Sequence, residues 1–423
     1  MTMIRAVRTT LLAAAIAGLA AAGAWSVRLG WADAWFQTET VAGTEKALSL
    51  TPGQADYSVR LALLVSDDDP ARAAAALRRA LASNPHDARA WIELGLRYEA
   101  DGNLPLAERT LLRAAEESHI YLPRWTLMNY YFRRNDTERF WFWAKSAVPM
   151  IWGDPLPLFH LCGRVTEDGD LIGRLDIRKP ELQAAYLFYL LDVGRPDLAG
   201  PTSRRLLESN RKADIPLLLE ACDRLLAAQR TGDARSIWDG LIAAHSIPDG
   251  SPRGGDGTLL YNGDFAASPT GHGFDWRLPA IEGISAALEE SPVGLRLTFS
   301  GAQPEDAEPL VQLAAVEGNA PYELKFDYRT SGIEAGTGLS WRIGDADRGA
   351  VIAAGETLAS DRPIERRMLF TTPPGCRLVR VALAYQRYPG TTRISGFIVL
   401  RNVELRRAAQ PPSDDPPRSR VMK

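Results

Sequence analysis

Three kinds of hydrophobic spacing follow one another along the chain. The first is a continuous run: Thr9 to Val27 carries no charge, with Arg5 and Arg8 before it and Arg28 after it. At 1.5 Å per residue such a run forms a helix of about 28 Å, enough to cross a bilayer. The second is a period of 34 residues beginning at Gln54, which aligns Tyr57 with Trp91, Leu61 with Gly95, Leu64 with Tyr98, Ala73 with Ala107, Leu77 with Leu111 and Ala80 with Ala114. The phase continues through Trp125 and Phe132, 34 residues after Trp91 and Tyr98. The third, beyond the turn-rich stretch 245–257, is alternation with a period of two. In YELKFDYRT it sets Tyr322, Leu324, Phe326 and Tyr328 on one face and Glu323, Lys325, Asp327 and Arg329 on the other. Leu295, Leu297 and Phe299 alternate likewise, as do Val379, Val381, Leu383 and Tyr385, and Phe397, Val399, Val403 and Leu405 share one phase of a closing strand.

The first pattern predicts a membrane anchor. Positive charge on its leading side implies a cytoplasmic N-terminus, with the body exported into the periplasm of a bacterial cell as a single-pass inner-membrane protein. The alternative is a cleaved signal segment, since Ala22-Gly23-Ala24 has the small-x-small form of a cleavage site.

The 34-residue period predicts helical hairpins that bury their apolar faces only by stacking. Small residues at the Gly95 and Ala107 positions allow the two helices of a hairpin to approach. These positions resemble the tetratricopeptide repeat, and the resemblance extends to 181–245, where Gly194 and Gly232 mark breaks between helices. Residues 146–180 lose the period and read as an irregular insertion or a worn hairpin. The resemblance implies a surface that binds a peptide or a protein partner. The aromatic cluster containing Trp125, Tyr130, Trp141 and Trp143 supplies candidate interface residues. The bland alternative is that the array is a spacer, or packs on its own C-terminal domain.

The alternating region predicts an antiparallel β-sandwich. Its order of features, NGDF at 262–265, GFDW at 273–276, the central YELKFDYRTSG and the terminal NVEL at 402–405, resembles jelly-roll carbohydrate-binding modules of the galactose-binding-like type. That implies pairing of the first and last strands. It also implies a glycan site built from exposed rings with polar groups around them. Trp276, Trp341, Tyr385 and Tyr388 are the candidate rings, with Asp327, Arg329, Gln386 and Arg387 as partners, although Trp276 also suits a core plug. Relatives often hold a structural calcium near the first strand, for which Asp264 is a candidate ligand; without a dense carboxylate loop, no metal or cofactor is expected.

Composition fits this picture. With 46% hydrophobic and 24% charged residues, 423 residues can form more than one ordinary core. The net charge of −3 offers no basic footprint for nucleic acid. Cys162, Cys222 and Cys376 form no CxxC pair and read as buried thiols; five scattered histidines give no HxxxH, and neither GxSxG nor GxxxxGK[ST] occurs. The expectation is a multidomain chain, α then β: an anchor or signal segment at 1–30, repeats at 31–245, a linker at 246–256, a sandwich at 257–408 and a disordered tail at 409–423. Its expected role is that of a non-enzymatic scaffold, accessory to cell-surface or exopolysaccharide assembly or export. A purely structural adaptor is the alternative, and a glycan-active enzyme a third possibility.

Overall fold

A computed structural model describes residues 2–166, 170–248 and 257–408, with side chains from Leu11 onward. The tail at 409–423 and most of the 246–256 linker lie outside the described residues. Among the described residues are helices α1 (Thr2–Phe36), α2 (Val41–Leu50), α3 (Ala55–Leu64), α4 (Pro70–Ser83), α5 (Ala88–Ala100), α6 (Leu104–Glu117), α7 (Tyr121–Arg133), α8 (Thr137–Ala147), α9 (Leu156–Gly163), α10 (Leu171–Leu175), α11 (Pro180–Asp192), α12 (Pro196–Glu208), α13 (Ile215–Ala227) and α14 (Thr231–Ala243). Strands follow: β1 (Ile284–Glu290), β2 (Val293–Ser300), β3 (Asp306–Ala315), β4 (Pro321–Ser331), β5 (Leu339–Asp345), β6 (Val351–Ala354), β7 (Ile364–Thr371), β8 (Leu378–Gln386) and β9 (Ser395–Arg407). The chain divides into two compact units at Ile177/Arg178, so α11–α14 belong with the sandwich.

In the first unit, helices pair in sequence as hairpins. Their starts are set by caps: the Asp69, Asp87, Asn103 and Asp136 side chains accept hydrogen bonds from backbone N–H groups in the first turns of α4, α5, α6 and α8. A Cβ at Gly95 would stand 2.5 Å from Leu111 Cδ2, so the residue type at 95 sets how closely α5 and α6 approach. The aligned Ala73, Ala107, Leu77, Leu111, Ala80 and Ala114 are all buried. The third hairpin departs from the 34-residue phase. The loop before α5 covers 84–87, but the loop before α7 covers only 118–120, so the helices start 33 residues apart. Arg124 and Tyr131 therefore take the slots read as Trp125 and Phe132, and both are buried. Within 146–180 stand two short helices, α9 and α10, in place of a full-length hairpin.

The long α1 is continuous from the apolar run into the first hairpin. Leu11–Phe36 is long and apolar enough to cross a membrane, and its apolar stretch is exposed. Its last turns are packed: Ala32 is fully buried, Phe36 stacks on Tyr57 at 4.6 Å between centroids, Tyr57 donates to Asp33, and Arg28 Nε donates to the Leu50 carbonyl at 2.5 Å.

In the second unit, a five-stranded antiparallel sheet ordered β1-β2-β9-β4-β7 faces a four-stranded one ordered β3-β8-β5-β6. The alternating residues of β2, β4 and β8 are buried between them as read from the sequence. The opening segment runs beside the end of β9, with Leu259 N donating to Leu405 O at 2.7 Å and Val403 N to Gly263 O at 2.8 Å. One phase needs correction. In β9, Ile398 and Leu400 point inward together with Val403 and Leu405, because the register against β4 shifts at Arg401–Asn402, where Asn402 adopts φ 48°. This bulge turns Phe397 outward, where it is partly exposed.

The sandwich rests on the last hairpin. Trp238 of α14 meets Tyr261 and Phe274 edge-on at 5.1 and 6.2 Å, within a core that also takes in Cys222 and Leu378. Asp223 of α13 accepts from His272 Nδ1 at 2.6 Å, Gly273 N at 2.7 Å and Arg277 Nη2 at 2.7 Å. The sequence placed a break at Gly232; the left-handed turn residue is Gln229 (φ 60°), and Gly232 sits in the first turn of α14. All three cysteines are free and buried; burial pushes the Cys162 thiol up to about 12 and the Cys376 thiol to about 11.

Candidate functional site

The β9 bulge has a chemical result. Adding one residue to the strand directs Arg401 and Asn402 to the outer face of the five-stranded sheet, beside Asp327 and Arg329 of β4. Asn402 Nδ2 donates to Asp327 Oδ2 at 2.7 Å. These side chains line a groove of 580 Å³ that is closed at its edges by the Gly263–Asp264 turn, by Pro292 and Val293 of the β1–β2 hairpin, and by Glu365 of β7. That size accommodates a small ligand or a few sugar rings.

Polar groups of both kinds face the groove. Asp327, Glu365 and Glu404 offer acceptors; Arg329 and Arg401 offer donors. Arg329 forms no ion pair among the described residues, and its guanidinium lies 5.4 Å from the Phe397 ring, whose centroid is also 4.1 Å from Arg296. The Nε of Arg401 is buried without a partner, although its Nη2 lies 3.6 Å from Glu289. Arg329 therefore keeps donor capacity unused within the protein, the property a hydroxyl-rich or carboxylate-bearing ligand would satisfy. At the rim, Lys325 bonds Glu365 and, with Arg367, holds that carboxyl below its usual range.

The candidate residues read from the sequence separate into three groups. Asp327 and Arg329 lie in the groove. Trp276, Trp341 and Tyr385 are at most 1% exposed and form core, so their assignment as binding rings is corrected. Trp276 packs between Phe265 and Trp341 and donates Nε1–H to Asn262 O at 3.0 Å; Tyr385 packs against Phe299. Inward alternation put Trp341 and Tyr385 there, and a large ring is the side chain best able to fill the space between two sheets. Gln386, Arg387 and Tyr388 stand together at the end of β8, outside the groove. Gln386 accepts from Arg342 at 3.2 Å, Arg387 pairs with Glu305 at 3.1 Å, and Tyr388 is exposed. Asp264 lines the groove and accepts from Ala266 N at 3.2 Å; among the described residues no acidic, His or Cys cluster of three could hold a metal ion.

Sequence reading missed Arg401, Asn402 and Glu404 as groove residues. The one available signal was Arg401-Asn402 itself, a polar pair inside an apolar strand with an asparagine suited to left-handed backbone.

In the repeats, Tyr130 is 2% exposed and its hydroxyl donates to Leu104 O, so it belongs to the core and not to an interface. Trp125, Trp141 and Trp143 are partly buried, with Tyr121 stacked on Trp125 at 5.9 Å and Arg174 over Trp141 at 4.7 Å. A second groove, of 630 Å³, lies instead on α5 and α6, lined by Trp91, Leu94, Tyr98, Arg109 and Arg113.

Comparison with protein-family models and with curated proteins gives no match. Among solved structures, the chain is similar to one described as CBM4, at 12% identity over 35% of this chain and 99% of that one, TM-score 0.29. It is also similar to TmCBM61 in complex with beta-1,4-galactotriose, at 12% identity over 36% of this chain and 99% of that one, TM-score 0.27. The third is YrrB, described as a TPR protein with an unusual peptide-binding site, at 16% identity over 48% of this chain and 91% of that one, TM-score 0.22. Each of these likenesses covers only part of this chain, at 16% identity or less.

Proposed function

We propose that this protein is a non-catalytic, membrane-anchored scaffold. Its repeats bind a protein partner, and the outer face of the five-stranded sheet binds polysaccharide, in the service of cell-surface glycan assembly or export. The observation that carries the reading is the groove in which Asp327, Arg329, Arg401 and Asn402 converge, with the Arg329 guanidinium in no ion pair among the described residues. A saccharide presents hydroxyls that both donate and accept, so a surface mixing carboxylate, amide and guanidinium groups matches it. Phe397, flanked by Arg296 and Arg329, gives the same face one apolar edge.

The test is binding of the folded full chain, in detergent, to a panel of neutral and acidic polysaccharides. Asp327→Ala and Arg329→Ala are expected to weaken saturable binding at least tenfold while Tyr388→Ala, outside the groove, leaves it unchanged. A folded parent chain that binds nothing in the panel removes the glycan part of the reading.

The adaptor reading is favoured by one specific observation. Three of the four candidate rings are core, and the sandwich packs on the last hairpin through Trp238, as a domain with a purely structural task would. Under it, the groove variants bind every partner as the parent does.

A further inference from the structure

Three tryptophans close the apolar part of α1, and packing explains none of them. Trp25 is 54% exposed, Trp31 67% and Trp35 45%. Trp25 stands at the end of the apolar run with Arg28 5.6 Å from its ring. Trp31 and Trp35 come later, on turns where α1 is already packed through Ala32 and Phe36 onto the first repeats. At 100° per residue, Arg28, Trp31 and Trp35 fall within an arc of about 60°, roughly a third of a turn away from the face holding Ala32, Asp33 and Phe36. The helix is therefore two-sided where it meets the repeats. One side is welded to α2 and α3, and the other presents two large rings; Arg28 stands at the edge between them, its Nε bonded to the Leu50 carbonyl and the residue otherwise exposed.

A lone exposed tryptophan is ordinary, but a pair four residues apart, in line with an exposed membrane-length run, matches one environment. The headgroup layer of a bilayer takes indole rings, which have an apolar body and a single N–H to bond, and its phosphates take arginine. The heights fit as well. With Val27 at the hydrocarbon boundary, Trp31 and Trp35 stand about 6 and 12 Å beyond it along the axis. A headgroup layer is only ~5–8 Å deep on each side, so an upright α1 would carry Trp35 into water. A tilt of about 30° toward the arc of Arg28, Trp31 and Trp35 brings both rings down into the layer; it shortens the span of the apolar run to about 25 Å, which local thinning of the bilayer accommodates.

We infer that this arc is a membrane-surface contact: α1 crosses the bilayer tilted toward it, so that the first helical hairpin is seated on the outer headgroups and not held clear of them. The inference rests on the proposal that α1 anchors the chain. Its occupant is the lipid surface already touched by the run Leu11–Val27, with which the arc is continuous.

The test uses the full chain, carrying 5-fluorotryptophan, in phosphatidylcholine/phosphatidylglycerol vesicles. The Trp31 and Trp35 fluorine resonances are assigned by their disappearance in Trp31→Phe and Trp35→Phe. Headgroup spin-labelled lipid is expected to broaden both, and a soluble gadolinium chelate to broaden both less than Trp152, which is assigned likewise and is 93% exposed. Broadening by the chelate alone, or by the chelate as strongly as at Trp152, or by neither agent, overturns the inference, the last outcome meaning that protein covers the rings. Failure of the anchor reads out separately: a chain that is released from the vesicles by alkaline carbonate, or that matures by cleavage near Ala24, loses the membrane span itself. A chain that stays anchored with both rings in water loses only the contact.

Discussion

At the scale of single residues, burial decides chemistry. Cys162, Cys222 and Cys376 are at most 1% exposed, and burial raises all three thiols well above the ordinary range. The thiolate is the nucleophile, so at pH 8 almost none of it exists in the folded chain, and no reagent reaches it. The native protein is expected to give no reaction with Ellman's reagent at pH 8 and three thiols after unfolding in guanidinium; one or more fast-reacting thiols in the native state would contradict this placement. Burial likewise explains why the aromatic candidates divided as they did. Residue type tells how well a ring could stack on a sugar, but Tyr385 shares the alternating phase of Val379, Val381 and Leu383, and Trp341 shares the buried phase of Leu339 and Ile343 in β5, and that placement outweighs chemical suitability. Tyr388 lies two residues past the end of β8, in a turn, and is exposed.

At the scale of elements, the sequence was legible wherever polar and apolar positions contrast. Strand β4 alternates aromatic with charged residues, and its faces came out as read. The second helices of the hairpins kept their phase through Ala73 and Ala107 because only small residues tolerate those contacts. Two elements were not legible. The loop at 118–120 is one residue shorter than its counterpart, and every side chain of α7 is polar or apolar in a pattern that a one-residue slip leaves plausible. In β9 the four residues Phe397–Leu400 are all apolar, so alternation could not say which pair faces inward. The structure answers through Asn402, whose left-handed backbone fixes the bulge. Asn402→Gly should leave stability within a few tenths of a kcal/mol, whereas Asn402→Val should cost about 1–2 kcal/mol, since a β-branched residue resists that conformation. Urea denaturation followed by far-ultraviolet dichroism measures both. Equal losses in the two variants would mean that the hydrogen bond to Asp327, and not the backbone, holds the bulge.

At the scale of the whole molecule, the domain plan read from composition placed a linker between helices and sheets, while the compact units divide earlier, at Ile177/Arg178. The reason lies in a contact that no local pattern announces. Gly273 adopts φ 54°, and a Cβ there would stand 2.4 Å from the Trp238 ring and 3.2 Å from Cys222 Sγ. Helix α14 and the first turns of the sandwich therefore meet at backbone distance. Gly273→Ala should combine a strained backbone with overpacking and cost roughly 1–3 kcal/mol, which for a unit of this size lowers the thermal midpoint by about 2–10 °C. Calorimetry of parent and variant reads it directly. An unchanged midpoint would mean that Trp238 gives way freely and the seam is loose.

Helix α1 passes from the apolar run into the first hairpin with no loop between. A loop absorbs an added residue; a continuous helix cannot. Each residue inserted between Ala20 and Ala24 would lengthen the shaft by 1.5 Å and turn the repeats by about 100° about its axis, with Arg28, Ala32 and Phe36 still seated as before. Substitutions along this stretch change how greasy it is, and insertions change where everything beyond it points. The stretch thus sets the azimuth of the first unit, and an evolving sequence can alter that bearing only in steps of one helical residue.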